Sequence, residues 1–95
     1  MNKMLARVRV QQGRADEFFH CAAGFIERAR KDAGCIFYEI YQMVDDRCEF
    51  YLLEQWQSEE HFNRHLSTGH AKDFESKVRE MQSEDLFPFV WEKVV

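Results

Sequence analysis

The residues best suited to chemistry are gathered between Glu54 and His70, in the run E-Q-W-Q-S-E-E-H-F-N-R-H-L-S-T-G-H. This run holds three of the chain's four histidines and one of its two tryptophans. Imidazole titrates near neutrality, so His65 could take a proton from a phenolic hydroxyl or stabilise the resulting phenolate. Its plainer reading is a hydrogen bond that holds helix to sheet. Glu54 and Trp56 fall on one strand face with Phe50 and Leu52. A carboxylate on an otherwise apolar face needs a partner, and His65 is the nearest one in view. Trp56 could wall an aromatic pocket and offer its indole N–H, or simply pack the core. Tyr38 would turn its hydroxyl into the same cavity, with Phe62 beside it.

His61 and His65 stand at i, i+4 with His70 beyond, a spacing that metals accept. No H-E-x-x-H pattern is present and no acidic ligand is fixed by spacing, so no metal is expected. His70, just after Thr68-Gly69, is expected to belong to a kink and to cap the following helix.

The elements that must position these groups follow from periodicity. Met4, Ala6, Val8 and Val10 alternate with Leu5, Arg7 and Arg9, a strand with one apolar face. Phe18, Ala22, Phe25, Ile26 and Ala29 recur at helical spacing, with Asp16 and Glu17 early and Arg28, Arg30 and Lys31 late, as the helix dipole prefers. Gly34 is expected as the left-handed residue that ends this helix. C-I-F-Y-E-I-Y-Q-M (35–43) and E-F-Y-L-L-E-Q-W (49–56) are apolar on both faces, around a turn at Asp45–Asp46. Ser58 is a good N-cap for a helix carrying Phe62, His65 and Leu66 on one face. Ser67-Thr68-Gly69 interrupts it, and His70 to Gln82 reads as a further helix with Phe74, Val78 and Met81 inward. A last strand is expected from Phe87 to Val95, with Pro88 at a start or an edge.

The order is β-α-β-β-α-β in one domain over residues 1–95, an α+β ferredoxin-like antiparallel sheet with helices on one face. Strands apolar on both faces must be covered on both, and a second copy of the chain is the simplest cover. The aromatic content of 15%, with nine Phe, points the same way. Net charge of −4 with scattered Lys and Arg leaves no footprint for nucleic acid. No apolar run approaches a membrane span, and charges break any signal core near the start, so a soluble cytoplasmic protein is expected. Cys21, Cys35 and Cys48 form no C-x-x-C pair and are expected as reduced packing thiols. Arg7 and Arg9 are expected to pair with acids across the sheet or a dimer interface.

G-C-I-F-Y (34–38), E-Q-W-Q-S (54–58) and H-L-S-T-G-H (65–70), in this order, resemble the antibiotic biosynthesis monooxygenase domain family over nearly the whole chain. The resemblance implies a homodimeric α+β barrel. It also implies a monooxygenase of quinols or anthrones that uses neither metal nor flavin. In that reading His65 is the base, with Glu54 and Trp56 as catalytic partners, and Tyr38, Phe62 and Trp56 contact the substrate. The family's haem-degrading branch relies on a first-strand asparagine and a helical tryptophan; here L-A-R-V-R-V and His65 stand in those places. Two alternatives remain open. One is isomerisation or breakdown of a small oxygenated metabolite, with Arg7, Arg9 and Arg64 as donors should it be phosphorylated. The other is a non-catalytic dimeric module for a small ligand.

Overall fold

The computed structural model describes residues 2–84 and 89–91. The elements run β1 (Asn2–Arg9), α1 (Ala15–Ala29), β2 (Cys35–Gln42), β3 (Glu49–Trp56), α2 (Glu59–Leu66), α3 (Gly69–Met81) and β4 (Phe89–Trp91). The strands form one antiparallel sheet in the order β2-β3-β1-β4. This is the ferredoxin-like α+β arrangement that the periodicities predict. Of the last strand expected over 87–95, Phe89–Trp91 pairs with β1, while Pro88 and the C-terminal end of that stretch lie outside the described residues.

Register explains which side chains meet. Met4, Glu54 and Tyr38 form one row across β1, β3 and β2, and Ala6, Leu52 and Ile40 form the next. Both rows face the helices. On α1 the buried residues are Phe18, Ala22, Phe25, Ile26 and Ala29, the positions that helical spacing selects. Phe18 packs on Phe50 with ring centroids 4.6 Å apart. Phe25 stacks flat on Phe74 of α3 at 4.1 Å. The helices cover this face only. Phe37, Tyr41, Tyr51, Leu53 and Leu5 lie on the other, with Tyr41 52% exposed in the single chain.

The cationic strand residues are held within the sheet. Arg7 donates through Nε and Nη2 to Glu49, at 3.0 and 2.7 Å, and Arg9 pairs with Asp46 and Glu49.

Two caps shape the broken second helix. Ser58 Oγ accepts the His61 N–H at 3.1 Å and starts α2. Thr68 Oγ1 accepts the Ala71 N–H at 3.2 Å and donates to the His65 carbonyl at 2.7 Å. One hydroxyl therefore closes α2 and opens α3. The capping role expected of His70 belongs to Thr68.

Gly34 differs from its expected place. α1 ends at Ala29, and Arg30 caps it in a right-handed conformation. Residues 30–34 then make a turn in which the Asp32 N–H reaches the Ala29 carbonyl at 3.0 Å and Cys35 N–H reaches the Asp32 carbonyl at 3.2 Å. Gly34, at φ 85°, closes that turn into β2, and its carbonyl accepts the Gln57 N–H at 2.8 Å. A Cβ here would lie 2.3 Å from His61 Cγ. The bare Cα thus lets α2 settle on the turn. Gly13 also has positive φ (88°) but faces open space. Gly13→Ala should therefore lose only the roughly 1–2 kcal/mol of a left-handed alanine. Gly34→Ala should lose clearly more in urea unfolding, because α2 must also shift; equal losses would show that the His61 contact is soft.

Candidate active site

The site begins with the turn after α1. Its backbone bonds and the Arg30 guanidinium, which donates to the Tyr38 carbonyl through Nε and Nη2 at 3.0 and 2.8 Å, fix Asp32 beside the start of β2. From α2, His65 donates its Nδ1–H to Asp32 Oδ2 at 2.7 Å. From α3, His70 donates its Nε2–H to the same oxygen at 2.8 Å. With Nδ1 committed to the carboxylate, a neutral His65 keeps its lone pair on Nε2.

The His65 ring is 3% exposed and stacks on Trp56 at 4.5 Å and 28°. Phe25 lies 5.7 Å from it and Tyr38 6.0 Å, closing an aromatic cage. Burial pushes the Asp32 carboxyl up, but the hydrogen bonds from His65 and His70 outweigh it and hold the group below the usual carboxylate range. Asp32 is therefore an anion at neutral pH.

A second carboxylate, this one buried, sits nearby on β3. Glu54, 8% exposed, accepts the Trp56 indole N–H at 2.8 Å and faces the Tyr38 phenol across the β2–β3 register. Burial pushes the Glu54 carboxyl above its ordinary value of 4.5, against the pull of Trp56 and Tyr38. Burial and the neighbouring Glu54 together push the Tyr38 phenol well above 10.0. Tyr38 is thus a neutral hydroxyl over the whole working range.

These groups border a cavity of about 550 Å³ between the sheet and the helices. Tyr38, Glu54, Phe62 and His65 line it, with Met4, Val8, Phe25, Leu52, Leu66, Phe74 and Val78 supplying apolar wall. Arg7, Glu75 and Arg79 also contribute. Both cations are already paired, Arg7 with Glu49 and Glu84 and Arg79 with Glu75.

The sequence-level partners are rearranged. Glu54 does not pair with His65: the same-face spacing that puts Glu54 by Trp56 gives it the indole N–H, and the histidine ring stacks on that indole and turns Nδ1 to Asp32. Trp56, fully buried, backs His65 and does not line the cavity, and its N–H is spent on Glu54. His61 is apart from His65 and His70; its Nδ1 lies 2.7 Å from Ser58 Oγ. Asp32 is the residue that sequence reasoning missed. The signal was slight, one acid in the R-K-D-A-G-C turn ahead of a strand.

An Asp–His pair, the histidine buried and the aspartate half-buried, thus borders an aromatic cavity on a ferredoxin-like sheet. The chain belongs to the family described as Antibiotic biosynthesis monooxygenase, which it matches over residues 1–77. It is 27% identical over 81 residues to a Bacillus subtilis (strain 168) protein named "Putative monooxygenase YcnE", covering 85% of each. Its fold superposes on the crystal structure of an antibiotic biosynthesis monooxygenase with a TM-score of 0.92 at 19% identity, over 100% of both chains. A conserved protein from Methanosarcina mazei Go1 gives a TM-score of 0.90 at 24% identity, over 97% of this chain and 91% of that one. Among the described residues no helix is long and apolar enough to cross a membrane.

The Glu54 shift has a measurable sign. A carboxyl whose folded pKa is raised binds its proton better in the fold than out of it. Its contribution is complete below the ordinary 4.5 and is lost as pH rises through the higher folded value. Unfolding free energy should therefore carry a downward slope above pH 4.5 that is missing in Glu54→Gln. Parallel pH profiles for the two proteins would mean that Glu54 is solvated.

Proposed function

We propose that the cavity holds an electron-rich aromatic, a quinol or anthrone, and that the chain oxidises it with O₂ as a homodimer without using metal or flavin. The observation that carries this reading is the Asp32–His65 pair in the wall of an aromatic cavity. A buried base fixed by a carboxylate, with its free nitrogen on Nε2, suits removal of a weakly acidic proton from an apolar substrate. His65 takes that proton, and the imidazolium is met by the Asp32 carboxylate on one side and the Trp56 face on the other.

The substrate anion then gives one electron to O₂, and the two radicals combine as a peroxide. Loss of water leaves one oxygen atom in a new carbonyl and the other in the water. All four electrons that take O₂ to the carbonyl oxygen and water come from the substrate, which loses two hydrogens as it gains one oxygen, so no added reductant is required. Tyr38, a neutral hydroxyl turned toward Glu54, would contact the substrate as part of the cavity wall. Phe62 and Phe25 provide wall.

A second copy of the chain would cover the sheet face that carries Tyr41, Tyr51, Leu53 and Leu5. The family's dimers supply the precedent. A phosphorylated substrate is disfavoured, because both cations at the cavity are already neutralised by acids.

Oxygen uptake by chelator-treated protein over a panel of quinols and anthrones tests the chemistry. His65→Ala should lower turnover by roughly 10²-fold or more, the size usual for a lost general base. Asp32→Asn, which keeps the shape but not the charge, should fall in the same direction. Turnover unchanged in a folded His65→Ala protein would remove the histidine from the reaction, and ligand binding with no uptake by the parent protein would favour the non-catalytic reading. Light scattering at micromolar concentration should show twice the chain mass; a stable monomer would leave the outer sheet face without its second copy.

A further inference from the structure

We propose that Asp32, His65 and His70 also form a site for a divalent first-row transition metal of the zinc or cobalt type. Two imidazoles and one carboxylate converge from three separate segments. Asp32 Oδ2 lies 2.7 Å from His65 Nδ1 and 2.8 Å from His70 Nε2, and the three atoms are all within 4.8 Å of one another. Zinc–ligand bonds of about 2.0–2.2 Å at tetrahedral angles place neighbouring donors about 3.3–3.5 Å apart. The two short edges of the cluster, hydrogen-bonded in the metal-free state, therefore open by roughly 0.6 Å as the metal enters between the donors.

Each arm is fixed before a metal arrives. Asp32 is held by the turn closed at Gly34, His65 by its stack on Trp56, and His70 by its place in the first turn of α3 behind the Thr68 cap. Two nitrogens and one oxygen suit zinc and its neighbours and do not suit calcium or magnesium, which prefer all-oxygen shells. The site can be entered from outside. The side chains of Asp32 and His70 are 17% and 21% exposed, and His70 also lines a groove of about 450 Å³ between α1 and α3. Solvent or a small ligand can complete the coordination there. His61 takes no part, since its Nδ1 faces Ser58.

Proton bookkeeping is simple. In the hydrogen-bonded state His65 carries its proton on Nδ1 and His70 on Nε2, both pointed at the one oxygen. Metal binding moves each proton to the other ring nitrogen, with no net change in protonation. His65 then presents Nε2–H to the cavity as a donor, and no longer as an acceptor. Occupation of the metal site and use of His65 as a base therefore exclude each other. The site itself rests on the cluster alone and does not depend on the oxygenase reading.

Tag-free, chelator-treated protein titrated with zinc chloride by calorimetry, and with cobalt chloride by visible absorption, tests the proposal. One site per chain is expected, with cobalt d–d bands of low-symmetry nitrogen and oxygen ligation. His70→Ala and Asp32→Asn should each weaken binding by more than about 100-fold, beyond the 10–100-fold typical of an outer-shell change. His20→Ala, an exposed histidine on α1, should bind as the parent does. Circular dichroism establishes that the variants are folded; His70 is partly exposed, so its variant keeps the test open if Asp32→Asn fails to fold. Absence of a stoichiometric site, or affinity that survives in His70→Ala, would overturn the proposal. Zinc should also suppress any oxygen uptake and chelator restore it. If no substrate is turned over at all, the titrations still decide the site, so the two readings fail separately.

Discussion

A single carboxylate oxygen ties the functional end of the molecule together. Asp32 Oδ2 receives one imidazole N–H from α2 and another from α3, and Asp32 itself belongs to the turn that leads from α1 into β2. Four elements thus meet at one half-buried anion. The break between α2 and α3 serves this geometry. An unbroken helix would keep residues 65 and 70 about 140° apart around its axis, since five steps of 100° overshoot a full turn. The Thr68 hydroxyl lets the chain change direction without an orphaned backbone group, so both rings reach the same atom.

The two carboxylates of the site are shifted in opposite directions by their surroundings. Asp32 collects two N–H donors from imidazoles, and these overcome its burial. Glu54 has the Trp56 N–H and the Tyr38 phenol, and burial prevails. Pairs of titratable groups whose environments push them apart mark a site with divided roles. Here the anion stands behind the histidine, and the more easily protonated acid stands behind the indole that the histidine stacks on. Trp56 links them, its indole N–H on Glu54 and its ring face against His65.

The elements were legible in the sequence because each is written in a local period. Phe18, Ala22, Phe25, Ile26 and Ala29 are buried on α1 as their spacing requires, and Phe50, Leu52, Glu54 and Trp56 share the inner face of β3. Ser58 caps where a serine before two glutamates should. The site was legible only in part. His65 and its aromatic neighbours stood out by type, but its partner is 33 residues away, in a turn whose path no periodicity describes. Alternation could say that Glu54 and Trp56 are on one face. It could not say that Trp56 would take the carboxylate first. Gly34 was recognised as a left-handed residue, but its use lies in the room it gives His61, a contact between segments far apart in the chain.

Charge at the cavity bears on what can occupy it. Arg7 and Arg79 are the cations among its lining residues, and each reaches an acid within salt-bridge distance, Glu49 at 2.7 Å and Glu75 at 2.6 Å. An anionic ligand would have to break those pairs and then sit beside Glu54 and the Asp32-bound histidine, against two carboxylates. A neutral aromatic meets no such opposition. It gains contact with Phe25, Phe62 and Tyr38. In the proposed reaction it would become an anion only after its proton had passed to His65, and the imidazolium would then supply the positive charge that the resting cavity lacks. A cavity that admits a neutral molecule and meets its charge only as it develops suits the order of events in the proposed base-initiated oxidation.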